Sequence, residues 1–98
     1  MSTDPRLRQN YAAAFARFLF HRDEAALAAA YELGRRGLES GTSLLDVVQT
    51  HHAVVLDTLP GLEEPHELAE AAAAFLVEVL APFHMAQRTV TEQREGPR

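Results

Sequence analysis

The chain has 98 residues, the size of one small domain. It contains no cysteine, so disulfide scaffolds, zinc–thiolate sites and thiol nucleophiles are excluded. Its net charge is −5 and all nine basic side chains are arginines, which argues against a nucleic-acid-binding surface. Alanine and leucine dominate the apolar residues, a composition typical of an all-α protein.

The N-terminus lacks the basic start and apolar run of a signal peptide, and no uncharged stretch is long enough to span a membrane. We therefore expect a cytoplasmic protein without a membrane segment. A chain this short buries only about 60–65% of its unfolded surface, and many such domains gain stability by self-association. Length alone thus favours a homo-oligomer.

The first predicted helix begins at Asp4 and Pro5, an N-cap followed by proline at the first helical position. It ends near His21. Its apolar residues recur at spacings of three and four, which predicts one buried stripe: Leu7, Tyr11, Ala14, Phe15 and Phe18.

Asp23 is expected to cap the second helix, and Gly41 to end it in a left-handed conformation. Gly34 and Gly37 each cost about 1 kcal/mol relative to alanine inside a helix, so we expect a neighbouring helix to approach closely there. The predicted inward stripe is Leu27, Tyr31, Gly34 and Leu38, with Ala30 beside it.

Thr42 and Ser43 mark the start of the third helix, where Asp46 imitates the acid of a capping box. Pro60 and Gly61 interrupt the helical pattern at its other end. The apolar stripe expected to face the core is Leu45, Val48, His52, Val55, Leu56 and Leu59.

Pro65 is expected to begin the fourth helix, and Pro82 to kink or break it. Its main apolar face covers about 140° and is expected to form core: Leu68, Ala72, Phe75, Leu76, Val79, Leu80 and Phe83. Nearly opposite lies a second apolar face, made of Ala74, Val77 and Ala81. Such a face predicts a contact with another protein or a second copy.

Four helices with short connections predict an all-α fold, either an antiparallel four-helix bundle or a pair of helical hairpins, forming a homodimer. We expect one helical domain over residues 1–92 and a polar tail or linker over residues 93–98.

No sequence motif for catalysis, phosphate binding or metal binding occurs, and no nucleophile is paired with a base. We therefore expect no catalytic residue, no metal site and no cofactor. His51 and His52 are neighbours, which point about 100° apart on a helix and rarely share a metal ion. His52 lies on the apolar stripe and is expected to be a core histidine, whereas Arg35 and Arg36 are expected on a solvated face.

An acidic helical bundle with a helical histidine is also compatible with a histidine phosphotransfer protein. That alternative needs a basic and a small residue shortly after the histidine, but Ala53, Val54, Val55 and Leu56 follow His52. A helical dimerisation domain of another sensor protein is a further alternative.

Most of the chain, from about Asn10 to Glu92, resembles the N-terminal domain of RsbU-type serine phosphatases of partner-switching stress cascades. The resemblance rests on the order of four segments and is most specific in the last. These segments are residues 11–19, residues 27–39 around the run Tyr31 to Arg36, Leu45 to Val48 with His51, and Phe75 to Met85.

The resemblance implies a helical regulatory domain that dimerises and binds a switch kinase of the RsbT type, thereby activating a phosphatase domain. The implied partner-binding positions are Ala28, Val77 and Ala81, and two of these belong to the second apolar face of the fourth helix. Alanine at two of these three positions departs from the family's pattern, since larger side chains make stronger anchors for a partner. No phosphatase domain follows Arg98, so we expect either a fragment or a stand-alone regulator.

Overall fold

The computed structural model describes the backbone of residues 5–95 and the side chains of residues 5–92. It contains four helices, α1 (Pro5–His21), α2 (Glu24–Glu39), α3 (Leu44–Thr58) and α4 (Pro65–Glu95), and a 3₁₀ turn at Leu59–Gly61. No strand occurs in this part of the chain. The predicted all-α fold is confirmed.

Local hydrogen bonds explain where α2 and α3 begin. The Asp23 carboxylate accepts a hydrogen bond from the backbone N–H of Ala26 (2.8 Å), and the Ser43 hydroxyl accepts one from Asp46 (3.0 Å). Each cap satisfies a backbone donor that has no partner within the helix. Both predicted caps are therefore confirmed, whereas the predicted cap at Asp4 lies outside the described residues.

The end of α2 is a Schellman motif. Gly41 adopts a φ of 83°, and its N–H donates to the Leu38 carbonyl (3.2 Å), while the Thr42 N–H donates to the Gly37 carbonyl (2.8 Å). Glycine adopts this left-handed conformation without the steric cost that a Cβ would add. This confirms the helix stop predicted at Gly41.

The closest helix contact joins α2 to α4. A Cβ atom built on Gly34 would lie 1.9 Å from the carbonyl oxygen of Val79, so only glycine fits at this crossing. Gly34 lies against Val79, and Gly37 further along α2 lies near Phe83 further along α4, so α2 and α4 run parallel. The predicted close approach of a helix to Gly34 is confirmed.

The core is centred on Phe75 of α4, which is fully buried. The rings of Tyr11 and Phe15 meet it edge to face at centroid distances of 5.2 and 5.3 Å, and Phe18 lies 6.0 Å away. Such aromatic pairs add stability beyond the area that they bury. The α1 stripe thus packs on the main face of α4.

On α2 the predicted inward stripe is partly wrong. Leu38 is 37% exposed and Leu27 and Tyr31 are only half-buried, while the residues that face the core are Ala26, Ala30, Gly34 and Gly37. The physical reason is the short distance to α4, which selects the smallest side chains rather than the largest.

On α3 the predicted core stripe faces outward, and this is the main correction. Val47, Thr50 and Val54 are buried instead. Because α3 is apolar on both sides, periodicity alone does not decide which side faces the core. Most of the expected core residues are exposed, namely Leu45 (65%), Val48 (45%), Leu56 (51%), Leu59 (41%) and His52, and only Val55 is partly buried.

The predicted core face of α4 is confirmed, with Leu68, Ala72, Phe75, Val79 and Phe83 buried and Leu76 and Leu80 packed against them. Pro82 is buried within the helix, which continues past it instead of breaking. The expected polar tail begins inside α4, and residues 96–98 lie outside the described residues.

Among the described helices, α4 is long and apolar enough by length and composition to cross a membrane. The core helix of a water-soluble bundle passes the same test, because it too needs a broad apolar face. The buried positions of α4, such as Phe75 and Val79, pack against the protein's own helices.

Candidate partner-binding surface

The outer side of α4 is apolar although it does not face the core. Val77 is 65% exposed, Ala74 is exposed, and Ala81 is partly buried one turn after Val77. Phe75 and Val79, which flank Val77 in sequence, are buried on the other side. The structure thus places all three residues of the predicted second face on the surface.

Ala28, the predicted position on α2, is exposed as well. In the parallel register of the two helices, in which Gly34 lies against Val79, Ala28 is level with Ala73. Ala73 and Val77 are one turn apart, about 6 Å along the helix axis. Val77 and Ala81 therefore lie about 6 and 12 Å further along α4 than the level of Ala28.

Two further residues lie on the surface of this helix pair. The Tyr31 hydroxyl donates to the sulfur of Met85 at 3.8 Å, and Met85 is 57% exposed. Flexible thioether side chains adapt well to a partner's surface. Met85 follows Val77 and Ala81 at intervals of four residues, a spacing that would have identified it from the sequence.

The arginine pair of α2 is held by acids of the same helix. The Arg35 guanidinium forms ion pairs with Glu32 and Glu39, and Arg36 lies 3.4 Å from Glu32. The hydrogen bond from Arg35 holds the pKa of Glu32 below its ordinary value. These positive charges are already neutralised, so the surface beside Ala28 is polar rather than basic.

His51, rather than His52, is the inward-facing histidine, which corrects the expectation from sequence. Its Nδ1 lies 2.7 Å from the Tyr11 hydroxyl. Burial lowers the pKa of His51, with a smaller contribution from His52, and burial also raises the pKa of Tyr11. A neutral imidazole without a proton on Nδ1 can accept the hydrogen bond from the phenol. The pair thus joins α1 to α3 without carrying charge.

The remaining histidines lie at the surface. His66 is 3.3 Å from Glu70 on the same helix, and His52 and His84 are exposed. In the part of the chain whose side chains are described, no three His, Asp or Glu residues are placed to hold a metal ion. The arrangement that stands out is therefore the exposed apolar side of α4, formed by Ala74, Val77 and Ala81.

Comparison with known proteins bears on this surface. No curated protein and no solved structure matches the chain. One family model does match, over residues 9–86, and it describes the N-terminal domain of the phosphoserine phosphatase RsbU. This family is a regulatory domain of a partner-switching phosphatase and is distinct from the catalytic phosphatase domain.

The match covers most of the chain, including the aromatic core, the α2–α4 crossing and the segment from Phe75 to Met85. With its four helices in the order described above, the chain belongs to the family of RsbU N-terminal domains.

Proposed function

We propose that this domain is a cytoplasmic, non-catalytic interaction module that dimerises and binds a switch-type serine kinase of the RsbT type. The kinase would contact the outer surface of α2 and α4 at Ala28, Val77 and Ala81. Binding would control a phosphatase in a partner-switching stress response.

One observation carries the proposal. Val77 leaves 65% of its surface exposed on the side of α4 opposite the buried residues Phe75 and Val79. Small apolar residues surround it, including Ala74 and Ala81. A contiguous apolar patch on a regulatory domain is typical of a protein-binding surface, and its most exposed large member is the natural anchor.

The test is to replace Val77 with Asp and to measure both folding and binding. An exposed substitution changes stability by about 0.5 kcal/mol or less, so the thermal melt should hardly move. A charge in an apolar interface should cost about 2 kcal/mol or more of affinity for a switch kinase from the same organism. Isothermal titration calorimetry measures that loss, and circular dichroism measures the melt.

Two control variants complete the experiment. Phe75→Ala empties the centre of the core and should cost about 3–5 kcal/mol of stability. Phe20→Asp places the same charge at a residue that is 74% exposed on α1, and should leave kinase binding unchanged. If Val77→Asp melts as early as Phe75→Ala, Val77 belongs to the core. If it melts and binds like the wild type, the kinase binds elsewhere.

A further inference from the structure

A cleft at one end of the bundle combines exposed apolar surface with carboxylates. It lies between the last turn of α1 and the start of α4, beside the 3₁₀ turn, and its volume is about 350 Å³. We call it the α1–α4 cleft. Three apolar and three acidic residues line it: Leu19, Phe20, Leu62, Glu63, Glu64 and Glu67. Its chemistry therefore differs from that of the proposed kinase-binding surface, which consists of small apolar side chains.

Phe20 is the residue of the cleft that the core does not explain. Its side chain is 74% exposed, more than any other large apolar side chain of the described residues. Phe18, two residues earlier, is buried against Phe75, while Leu19 and Leu62 are half-buried at the edge of the core. An exposed aromatic ring beside apolar neighbours in a cleft is typical of an anchor point for another molecule.

The three carboxylates of the cleft form no ion pair with a described residue. Arg22 lies beside them but donates to the backbone carbonyl of Glu67 (3.1 Å), and its guanidinium lies over the Phe18 ring. His66 pairs with Glu70 instead. The positive end of α4 is equivalent to only about half an elementary charge, which is less than three carboxylates carry. The cleft is therefore negatively charged, and its charge is available to a ligand.

Shape and charge together indicate which ligand fits. The cleft is open, and its volume is near the lower end for small-molecule sites, which enclose most of their ligand. A peptide segment fits better, because a large apolar side chain can pack against Phe20 and Leu62. Arginine or lysine side chains can lay their methylene groups on the same surface and place their charges near the carboxylates. An arginine can also stack on the aromatic ring.

We propose that the α1–α4 cleft binds a segment of a second partner protein that combines a large apolar residue with arginine or lysine neighbours. This interaction goes beyond the proposed kinase binding. Val77 follows Glu67 by ten residues, about 15 Å along α4, so the two surfaces are separate. The hydrogen bond from Arg22 to Glu67 holds the end of α1 beside the first turn of α4, so the cleft exists before a partner arrives.

The test is a nuclear magnetic resonance titration of the isotope-labelled domain with a short synthetic peptide in which leucines are flanked by arginines. Chemical-shift changes should concentrate at Leu19, Phe20 and residues 62–67, and should spare Val77. Changes centred on Val77, or no change at millimolar peptide, would overturn the inference.

Variants with matched controls then separate the apolar contribution from the charged one. Phe20→Ser should weaken peptide binding at least about tenfold, whereas Val77→Ser, at a residue that is 65% exposed, should not change it. The double variant Glu63→Gln, Glu64→Gln should weaken binding several-fold and reduce its dependence on salt, because exposed charges are screened. Glu78→Gln, outside the cleft, should bind like the wild type. Thermal melts show whether each variant is folded.

A second peptide, with serines in place of the leucines, distinguishes this site from a merely acidic patch. It should bind at least about tenfold more weakly than the leucine peptide. Equal binding of the two peptides, or of the wild type and Phe20→Ser, would overturn the inference. Kinase binding by Phe20→Asp keeps the two proposals apart, since a loss of kinase affinity there would assign the cleft to the kinase and leave no second partner surface.

Discussion

The contact between Gly34 and Val79 predicts opposite effects for the same substitution at two glycines of α2. A Cβ on Gly34 would lie 1.9 Å from the Val79 carbonyl oxygen, whereas the nearest atom to a Cβ on Gly37 is Thr42 Cβ at 3.5 Å. At Gly34 the added methyl group would overlap a backbone carbonyl oxygen, whereas at Gly37 it would make an ordinary van der Waals contact with a side chain.

The magnitudes follow from two opposing contributions. Alanine gains about 1 kcal/mol over glycine in a helix interior. Overpacking costs about 1–3 kcal/mol, and Gly34 falls at the upper end because a carbonyl oxygen can move away only if the helices separate. We therefore expect Gly34→Ala to lower the free energy of unfolding by about 2 kcal/mol, and Gly37→Ala to raise it by up to about 1 kcal/mol.

Thermal melts followed by circular dichroism measure the contrast directly. In a domain of this size 1 kcal/mol corresponds to about 4–8 °C, so Gly34→Ala should melt roughly 10 °C below the wild type. Gly37→Ala should melt a few degrees above it. If Gly34→Ala melts at or above the wild-type midpoint, α2 and α4 do not meet at Gly34.

Two further predictions concern stability. The buried hydroxyl of Thr50 has no hydrogen-bond partner among the described residues, so Thr50→Val should raise the free energy of unfolding by about 1 kcal/mol. Thr58→Val should lower it, because the Thr58 hydroxyl donates to the Val54 carbonyl at 2.8 Å, and urea titrations that shift both variants equally would contradict this. The pKa of folded His51 lies below its ordinary value of 6.5, so on acidification the unfolded chain takes up this proton before the folded chain does. The contribution of His51 to the free energy of unfolding should therefore be complete above pH 6.5 and decline as the pH falls below that value. It should level off once the pH is below the pKa of the folded state. Urea titrations across this range should show that decline, and His51→Gln should reduce it.

Helix ends were well predicted because their signals are local. Asp23, Ser43 and Gly41 act through hydrogen bonds and backbone conformations within a few residues, and these depend little on the rest of the fold. The outward position of Val77 was predictable for a similar reason, since the opposite face of α4 carries the larger side chains.

The faces of α2 and α3 were not predictable in the same way. Which side of α3 is buried depends on how closely α1 and α4 approach it, and the β-branched residues Val47 and Val54 fit there instead of Leu45 and Leu56. On α2 the short distance to α4 reverses the usual preference for large core residues. Both outcomes depend on tertiary distances that periodicity does not contain.

The alanines of the proposed kinase-binding surface have a consequence for the thermodynamics of binding. Ala28 and Ala81 have no side-chain rotamers to lose, so covering them carries no side-chain entropy cost, and Val77 has little to lose. The backbone contact at Gly34 also fixes the spacing of the two helices before any partner arrives. The surface is therefore preorganised, which offsets part of the contact area that larger anchors would have provided.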